Sequence, residues 1–248
     1  MTGLTSVTFR QKKAEEIVAL AAASGLDGIE WGGDIHVPVG DRETARNAAY
    51  LTQSAGLKVL SYGSYYRLNQ VEDFTKVLET TYELGAPNIR IWAGELSPEN
   101  ADRTSYLKAA EELSSLCAKA QNYGIQVSLE YHRNTLTETA ASTLKLIKLA
   151  SCKNLRSYWQ PNPDISHNEN CRELLLVKPY LSNIHTFHWK GNNIRYPLIE
   201  GHSEWLDYIR IADLKPDVSA YILEFVKDDR VNNFEEDAKE LIKLLSQI

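Results

Sequence analysis

The sequence predicts an α/β protein folded as a single (β/α)8 barrel of the TIM type over residues 1–248. Three observations lead there. A unit of amphipathic helix, glycine and short strand recurs along the chain. Eight short apolar strands can be placed, each followed by a helical segment. No GxGxxG occurs, and the place after strand one, where a doubly wound sheet would carry its phosphate loop, holds Phe9-Arg10-Gln11-Lys12.

The elements follow in order. Strand one is expected near residues 4–9 and strand two at 27–31, after Ser24-Gly25. Strands three, four and five are expected at 57–62, 88–93 and 125–130, after Gly56, Gly85 and Gly124. A glycine directly before a strand suits a helix C-cap, because a left-handed backbone costs glycine least. Strands six, seven and eight are expected at 154–160, 181–186 and 219–225. Leu113, Leu116, Cys117 and Ala120 share one helical face. So do Phe234, Ala238, Leu241 and Leu245 in the last helix, and helix seven is expected from Ser203 to Ala212.

The hydrophobic share of 43% supports an ordinary buried core, and the formal charge of −6 disfavours nucleic acid or an anionic membrane as partner. Cys117, Cys152 and Cys171 are odd in number and widely spaced, which suits reduced thiols in a cytoplasmic protein. The start of the chain lacks the pattern of a signal peptide, and no apolar run reaches membrane-spanning length. A homodimer stays open.

Parity locates the chemistry. With Ile125, Val127 and Leu129 facing the outer helices, Glu130 points to the barrel axis. The same rule turns Glu224, Glu30 and His185 inward, opposite Leu223, Ile29 and Ile184. A carboxylate at one strand end is more often a helix cap or ion-pair partner. Several inward carboxylates repel one another, and a divalent cation relieves the repulsion. Glu130, Gln160, His185 and Glu224 are therefore the expected ligands, for Mn²⁺, Mg²⁺, Co²⁺ or Zn²⁺. The missing thiolate argues against a structural zinc site. Glu30 either binds substrate or pairs with Arg90, which has inward parity in strand four.

Aromatic residues crowd the strand ends: Trp31, Tyr62, Tyr65, Tyr66, Trp92, Trp159 and Trp189. Aromatic faces suit the C–H faces of sugars and cyclitols, although core packing claims at least half of these residues. Tyr62 and Trp92 are the expected substrate contacts among them, with His188 and Lys190 beyond strand seven.

At these positions the chain resembles the xylose-isomerase-like barrels, which include sugar phosphate isomerases and epimerases, inosose dehydratases and 3-dehydroshikimate dehydratases. The resemblance rests on Glu130-Tyr131-His132-Arg133-Asn134-Thr135-Leu136-Thr137-Glu138-Thr139, on Gly25-Leu26-Asp27-Gly28-Ile29-Glu30, on Ile184-His185-Thr186 and on Leu223-Glu224-Phe225. Pro197-Leu198-Ile199-Glu200-Gly201 resembles the family loop before the helix that carries Trp205. It implies a substrate-side role for His132. One departure is that Gln160 stands where the family has an aspartate; Asp164 and His167 offer the Asp-x-x-His spacing four residues on, but past two prolines.

The resemblance implies a metal-dependent sugar or sugar phosphate isomerase or epimerase. Glu130 and Glu224 would move a proton next to a carbonyl, and the substrate would be a sugar or polyol. A dehydratase shares the first step and uses His132 as acid. A noncatalytic metabolite-binding barrel is the third alternative, supported by Gln160. Nuclease members of the superfamily are disfavoured by six histidines and an acidic chain.

Overall fold

Period-two alternation gives each strand an apolar outer face, so the strands close into a ring with helices packed outside it. The computed structural model describes residues 1–70, 73–214 and 219–248. The strands are β1 (Thr2–Thr5), β2 (Gly28–Gly32), β3 (Lys58–Arg67), β4 (Asn88–Trp92), β5 (Gln126–Leu129), β6 (Leu155–Trp159) and β7 (Leu181–Thr186). A hairpin of β8 (His188–Lys190) and β9 (Ile194–Tyr196) follows, then β10 (Tyr221–Leu223). All eight barrel strands are parallel, and β1 closes the ring by pairing with both β2 and β10.

The outer helices are α1 (Ala14–Ala23), α2 (Arg42–Ser54), α3 (Phe74–Leu84), α4 (Arg103–Gln121), α5 (Ala140–Ala150), α6 (His167–Val177), α7 (His202–Ala212) and α8 (Val231–Leu245). Gly25, Gly56, Gly85 and Gly124 all adopt positive φ, as their places before strands require. The turns after α5 and α7 use Ser151 (φ 52°) and Asp213 (φ 46°) instead. That explains why no glycine announces strands six and eight.

The main core lies between the ring and the helices. Ile29, Val127, Leu129, Ile184 and Leu223 meet Ile17, Leu113 and Phe234 there, the outward parity expected of them. Inside the ring, Leu60, Tyr158, Ala220 and Ile222 form a small apolar plug. Beside it runs a polar layer, in which Ser128 Oγ donates to Asn88 Oδ1 at 2.6 Å and Asn183 Nδ2 donates to the Tyr158 hydroxyl at 2.7 Å.

Three expectations need correction. Strand one stops at Thr5, and Ser6–Phe9 coil into a 3₁₀ turn that sends Phe9 outward against Phe234 at 5.6 Å. Strand three runs to Arg67 and carries an irregularity, because Val59 pairs with Ile29 but Ser61 pairs with Glu30. The extra residue, Leu60, reverses the parity beyond it. Tyr62 therefore faces the outer core, fully buried, with its hydroxyl donating to Val37 O at 2.8 Å, and it does not reach the mouth. The β8–β9 hairpin after strand seven had no counterpart in the sequence reading.

Candidate metal centre and active site

The site is built where strands run out. Glu130 follows β5 and Glu224 follows β10, yet their amides still donate into the ladder, to Ile91 O at 2.9 Å and Thr186 O at 3.1 Å. The ladder holds the backbone, and parity aims the side chains inward. His185 is the penultimate residue of β7, and Gln160 follows β6. The loop after Glu130 is stitched to itself: Thr137 Oγ1 donates to Glu130 O at 2.6 Å, and Thr135 Oγ1 donates to His132 O at 2.7 Å. Phe225, directly after Glu224, takes a left-handed backbone (φ 48°) and donates its amide to Thr8 Oγ1 at 3.1 Å. A bulky residue in that conformation is held there by its surroundings.

One donor atom from each of Glu130, His185 and Glu224 lies within 4.8 Å of the other two, and all three residues are buried. Gln160 Oε1 is 3.1 Å from His185 Nδ1, and Glu224 Oε2 is 3.4 Å from the same nitrogen. The four expected ligands thus stand together. Asp164 and His167 do not join them: Asp164 pairs with Arg133 at 2.6 Å and His167 with Asp207 at 3.0 Å. Ser166 caps α6 through the Glu169 amide.

Glu30 lies beneath this cluster, wholly buried. Its Oε1 accepts from Arg90 Nε and faces His185 Nε2, each at 3.1 Å, while Oε2 accepts from the Tyr158 hydroxyl at 2.6 Å. Both oxygens are engaged within the barrel, so Glu30 follows the ion-pair alternative rather than substrate contact. Arg90 also donates from Nη1 to Glu130. Gly63 makes room for it, since a Cβ there would stand 2.5 Å from Arg90 Nη2.

Electrostatics follow from this packing. Burial alone would raise the Glu30 carboxyl, but Arg90 and His185 outweigh it and hold its pKa well below the usual range. Burial opposes charge on His185 as well; Glu224 and Glu30 overcome it and raise the imidazole pKa. Glu224 is raised by burial, with Glu130 adding to the effect and His185 opposing it.

At the mouth, the His132 and Trp92 rings pack with centroids 4.3 Å apart and planes tilted by 34°. His132 Nδ1 is 2.7 Å from Arg133 O. A carbonyl only accepts, so Nδ1 carries hydrogen and Nε2 is left for other work. His132 and Gln160 line a recess of about 40 Å³. Tyr65, also in a left-handed conformation, lies over Trp92 and receives a bond from Arg10 at 3.1 Å. His188 is buried, and Lys190 is exposed on the hairpin. Trp31 and Trp159 are core residues. His36 is held by Ser6 and Lys12, and His202 ties α7 to Glu240 of α8.

The arrangement fits a divalent cation. Two carboxylates, an amide oxygen and an imidazole converge, and Glu30 accepts from Nε2 of that imidazole, which leaves Nδ1 facing Gln160 and Glu224. Sequence reasoning missed the bond from Arg90 to Glu130 and the place of Tyr158 under Glu30. The parity of Arg90 was the available signal for the first; nothing in the pattern around Tyr158 marks it out from an ordinary core tyrosine.

Comparison with known proteins agrees with this architecture. The profile of the xylose isomerase-like TIM barrel family matches residues 18–248. A 3-dehydroshikimate dehydratase of Bacillus anthracis is 25% identical over 164 residues, which cover 62% of this chain and 59% of that enzyme. The crystal structure of the probable 3-DHS dehydratase AsbF of Bacillus anthracis, involved in petrobactin synthesis, superposes with a TM-score of 0.80 at 19% identity. That match covers 98% of this chain and 99% of the other. The IOLI protein, crystallised with a zinc atom, superposes at 0.75 with 14% identity over 99% of this chain and 98% of its own. At these identities the structural matches speak for the fold. Among the described residues no helix is long and apolar enough to cross a membrane. With the profile matching nearly the whole length, the chain belongs to the xylose isomerase-like TIM barrel family.

Proposed function

We propose that this protein is a metal-dependent dehydratase of a hydroxylated cyclic ketone, of the 3-dehydroshikimate type. The observation that carries this reading is the inequality of the two glutamates. Arg90 holds Glu130 with a charge-assisted bond, which ties that carboxylate to the barrel wall. Glu224 has no arginine or lysine bonded to it among the described residues: it is desolvated and faces His185 Nδ1 at 3.4 Å. Proton exchange by two equivalent carboxylates, expected for the isomerase or epimerase first favoured from sequence, loses its symmetry. One base and one separate acid suit elimination.

A divalent cation held by Glu130, Gln160, His185 and Glu224 would polarise the substrate carbonyl and acidify the neighbouring C–H. Glu224 removes that proton. The electrons left on carbon form the new C=C bond as the β-hydroxyl departs, and protonated His132 gives its Nε2 proton to the leaving oxygen, which leaves as water. Trp92, packed against His132, fixes the acid's ring. The curated relative named a 3-dehydroshikimate dehydratase supports this substrate class.

The test is ultraviolet absorbance with 3-dehydroshikimate and Mn²⁺, Co²⁺ or Zn²⁺. Dehydration creates an aromatic chromophore, and Glu224→Gln should lower its rate at least 100-fold with unchanged circular dichroism. Epimerisation of the substrate without a chromophore would overturn the dehydratase reading.

A further inference from the structure

A cavity of about 320 Å³ lies beside the centre, between the N-terminal ends of α6 and α7. It shares a wall with the recess at His132 and Gln160: residues 161–163 and the packed pair Phe187 and Trp189, whose centroids are 4.4 Å apart. Trp205 and Tyr208 also line it, edge to face at 5.4 Å. The Trp205 indole is fixed by donating to Phe187 O at 3.0 Å.

His188 also lines this cavity and is only 5% exposed. Its buried Nε2 has no hydrogen-bond partner among the described residues, and Nδ1 lies 4.0 Å from Glu204 Oε2. Buried polar groups without partners are rare in folded proteins, so an orphaned imidazole beside an open cavity points to a ligand. The chain also accommodates this ring closely: a Cβ at Gly201 would stand 2.4 Å from His188 Nδ1. Burial favours neutral His188, which then offers one donor and one acceptor.

We propose that this cavity is a subsite for a neutral hydroxylated ring, so that the substrate of the neighbouring centre carries a second ring, as a glycoside does. Aromatic walls stack on the C–H faces of such a ring. His188 and Glu204 meet its hydroxyls. Lys190 and Glu204 line the same space with opposite charges, which favours neither an anion nor a cation. The assignment of a second ring to the substrate rests on the proposed function; binding of a ring in the cavity does not.

The experiment is calorimetric titration of the metal-loaded protein with cellobiose, maltose, trehalose, glucose and glucose 6-phosphate. At least one disaccharide should bind tenfold or more tighter than glucose. Ile165→Trp, which fills the cavity from the loop before α6, should weaken that binding at least tenfold while leaving bound metal and turnover of 3-dehydroshikimate unchanged. His188→Leu should weaken disaccharide binding similarly. Disaccharides no tighter than glucose, preference for glucose 6-phosphate, or Ile165→Trp binding as wild type would each overturn the subsite. Disaccharide binding without dehydration would instead retain the subsite and remove the dehydratase.

Discussion

Glu30 of β2 and His185 of β7, separated in the ring by β1 and β10, meet at 3.1 Å, Oε1 to Nε2, with neither side chain open to solvent. The contact decides which imidazole nitrogen faces the other ligands. Nε2 donates to Glu30, and Nδ1 is turned to Gln160 and Glu224.

Glu30→Gln should therefore weaken divalent-metal affinity by about 10–100-fold, the range for losing an outer carboxylate behind a ligating histidine. Tyr158→Phe should weaken it less, because Glu30 keeps Arg90 and His185. It should also cost about 1–3 kcal/mol of stability, since Asn183 Nδ2 and Glu30 Oε2 both lose a buried partner. Competition against a chromophoric chelator measures the first effect and urea unfolding the second. Wild-type affinity in Glu30→Gln would count against an orienting role.

Gly63→Ala probes Arg90 without touching it. The added methyl would stand 2.5 Å from Nη2 and push the guanidinium off its carboxylates. Breaking a buried ion pair costs about 3–5 kcal/mol, so the metal-free variant should unfold at distinctly lower urea. Glu130 then lacks its cation, and added Mn²⁺ takes that place. The variant should gain more thermal stability from Mn²⁺ than wild type does, measured as the rise in Tm at fixed metal concentration.

The barrel was legible because its signals are local. Gly25, Gly56, Gly85 and Gly124 mark four helix ends, and alternation turned Glu130, His185 and Glu224 inward before any contact was known. What escaped depends on register and on distant neighbours. One extra residue at Leu60 moved Tyr62 from the mouth to the outer core, and alternation counted from strand ends cannot sense such an insertion. Arg90 could be placed on the axis, but its choice between Glu30 and Glu130 is set by side-chain reach, and it takes both. The orphaned His188 depends on α7 packing over the hairpin, a contact between segments that no periodicity records.

Metal binding should release protons. The pKa values of His185 and Glu224 both lie above their ordinary values: on His185 the carboxylates outweigh burial, and on Glu224 burial dominates. A raised pKa means more bound proton at a given pH, and a cation requires both groups deprotonated. Affinity should therefore climb as pH rises, with a net number of protons released per metal bound. Calorimetry in two buffers of different ionisation enthalpy reads that number from the change in apparent heat. Equal heats in both buffers would mean that no proton leaves.

Stability should carry its own pH dependence from a residue far from the mouth. Asp237 of α8 is 5% exposed and accepts the Leu198 amide at 2.7 Å. Burial pushes its carboxyl up to about 6, against a bond from Leu198 that lowers it and with Glu240 adding to the rise. An unfolded aspartate titrates near about 4, so between these values the native chain holds a proton that the unfolded chain has lost. Stability from this group is then greatest below about pH 4 and falls as pH rises, by up to about 3 kcal/mol once pH passes 6. Asp237→Asn keeps an oxygen for the Leu198 amide and removes the charge. The variant should be more stable than wild type at pH 8, and the advantage should vanish near pH 3, where Asp237 is protonated in the folded and unfolded chains alike. Urea midpoints for the two proteins across that range isolate the group, because the other titrations cancel in the difference. A constant difference between the two curves would show that the Asp237 carboxyl titrates alike in the folded and unfolded chains.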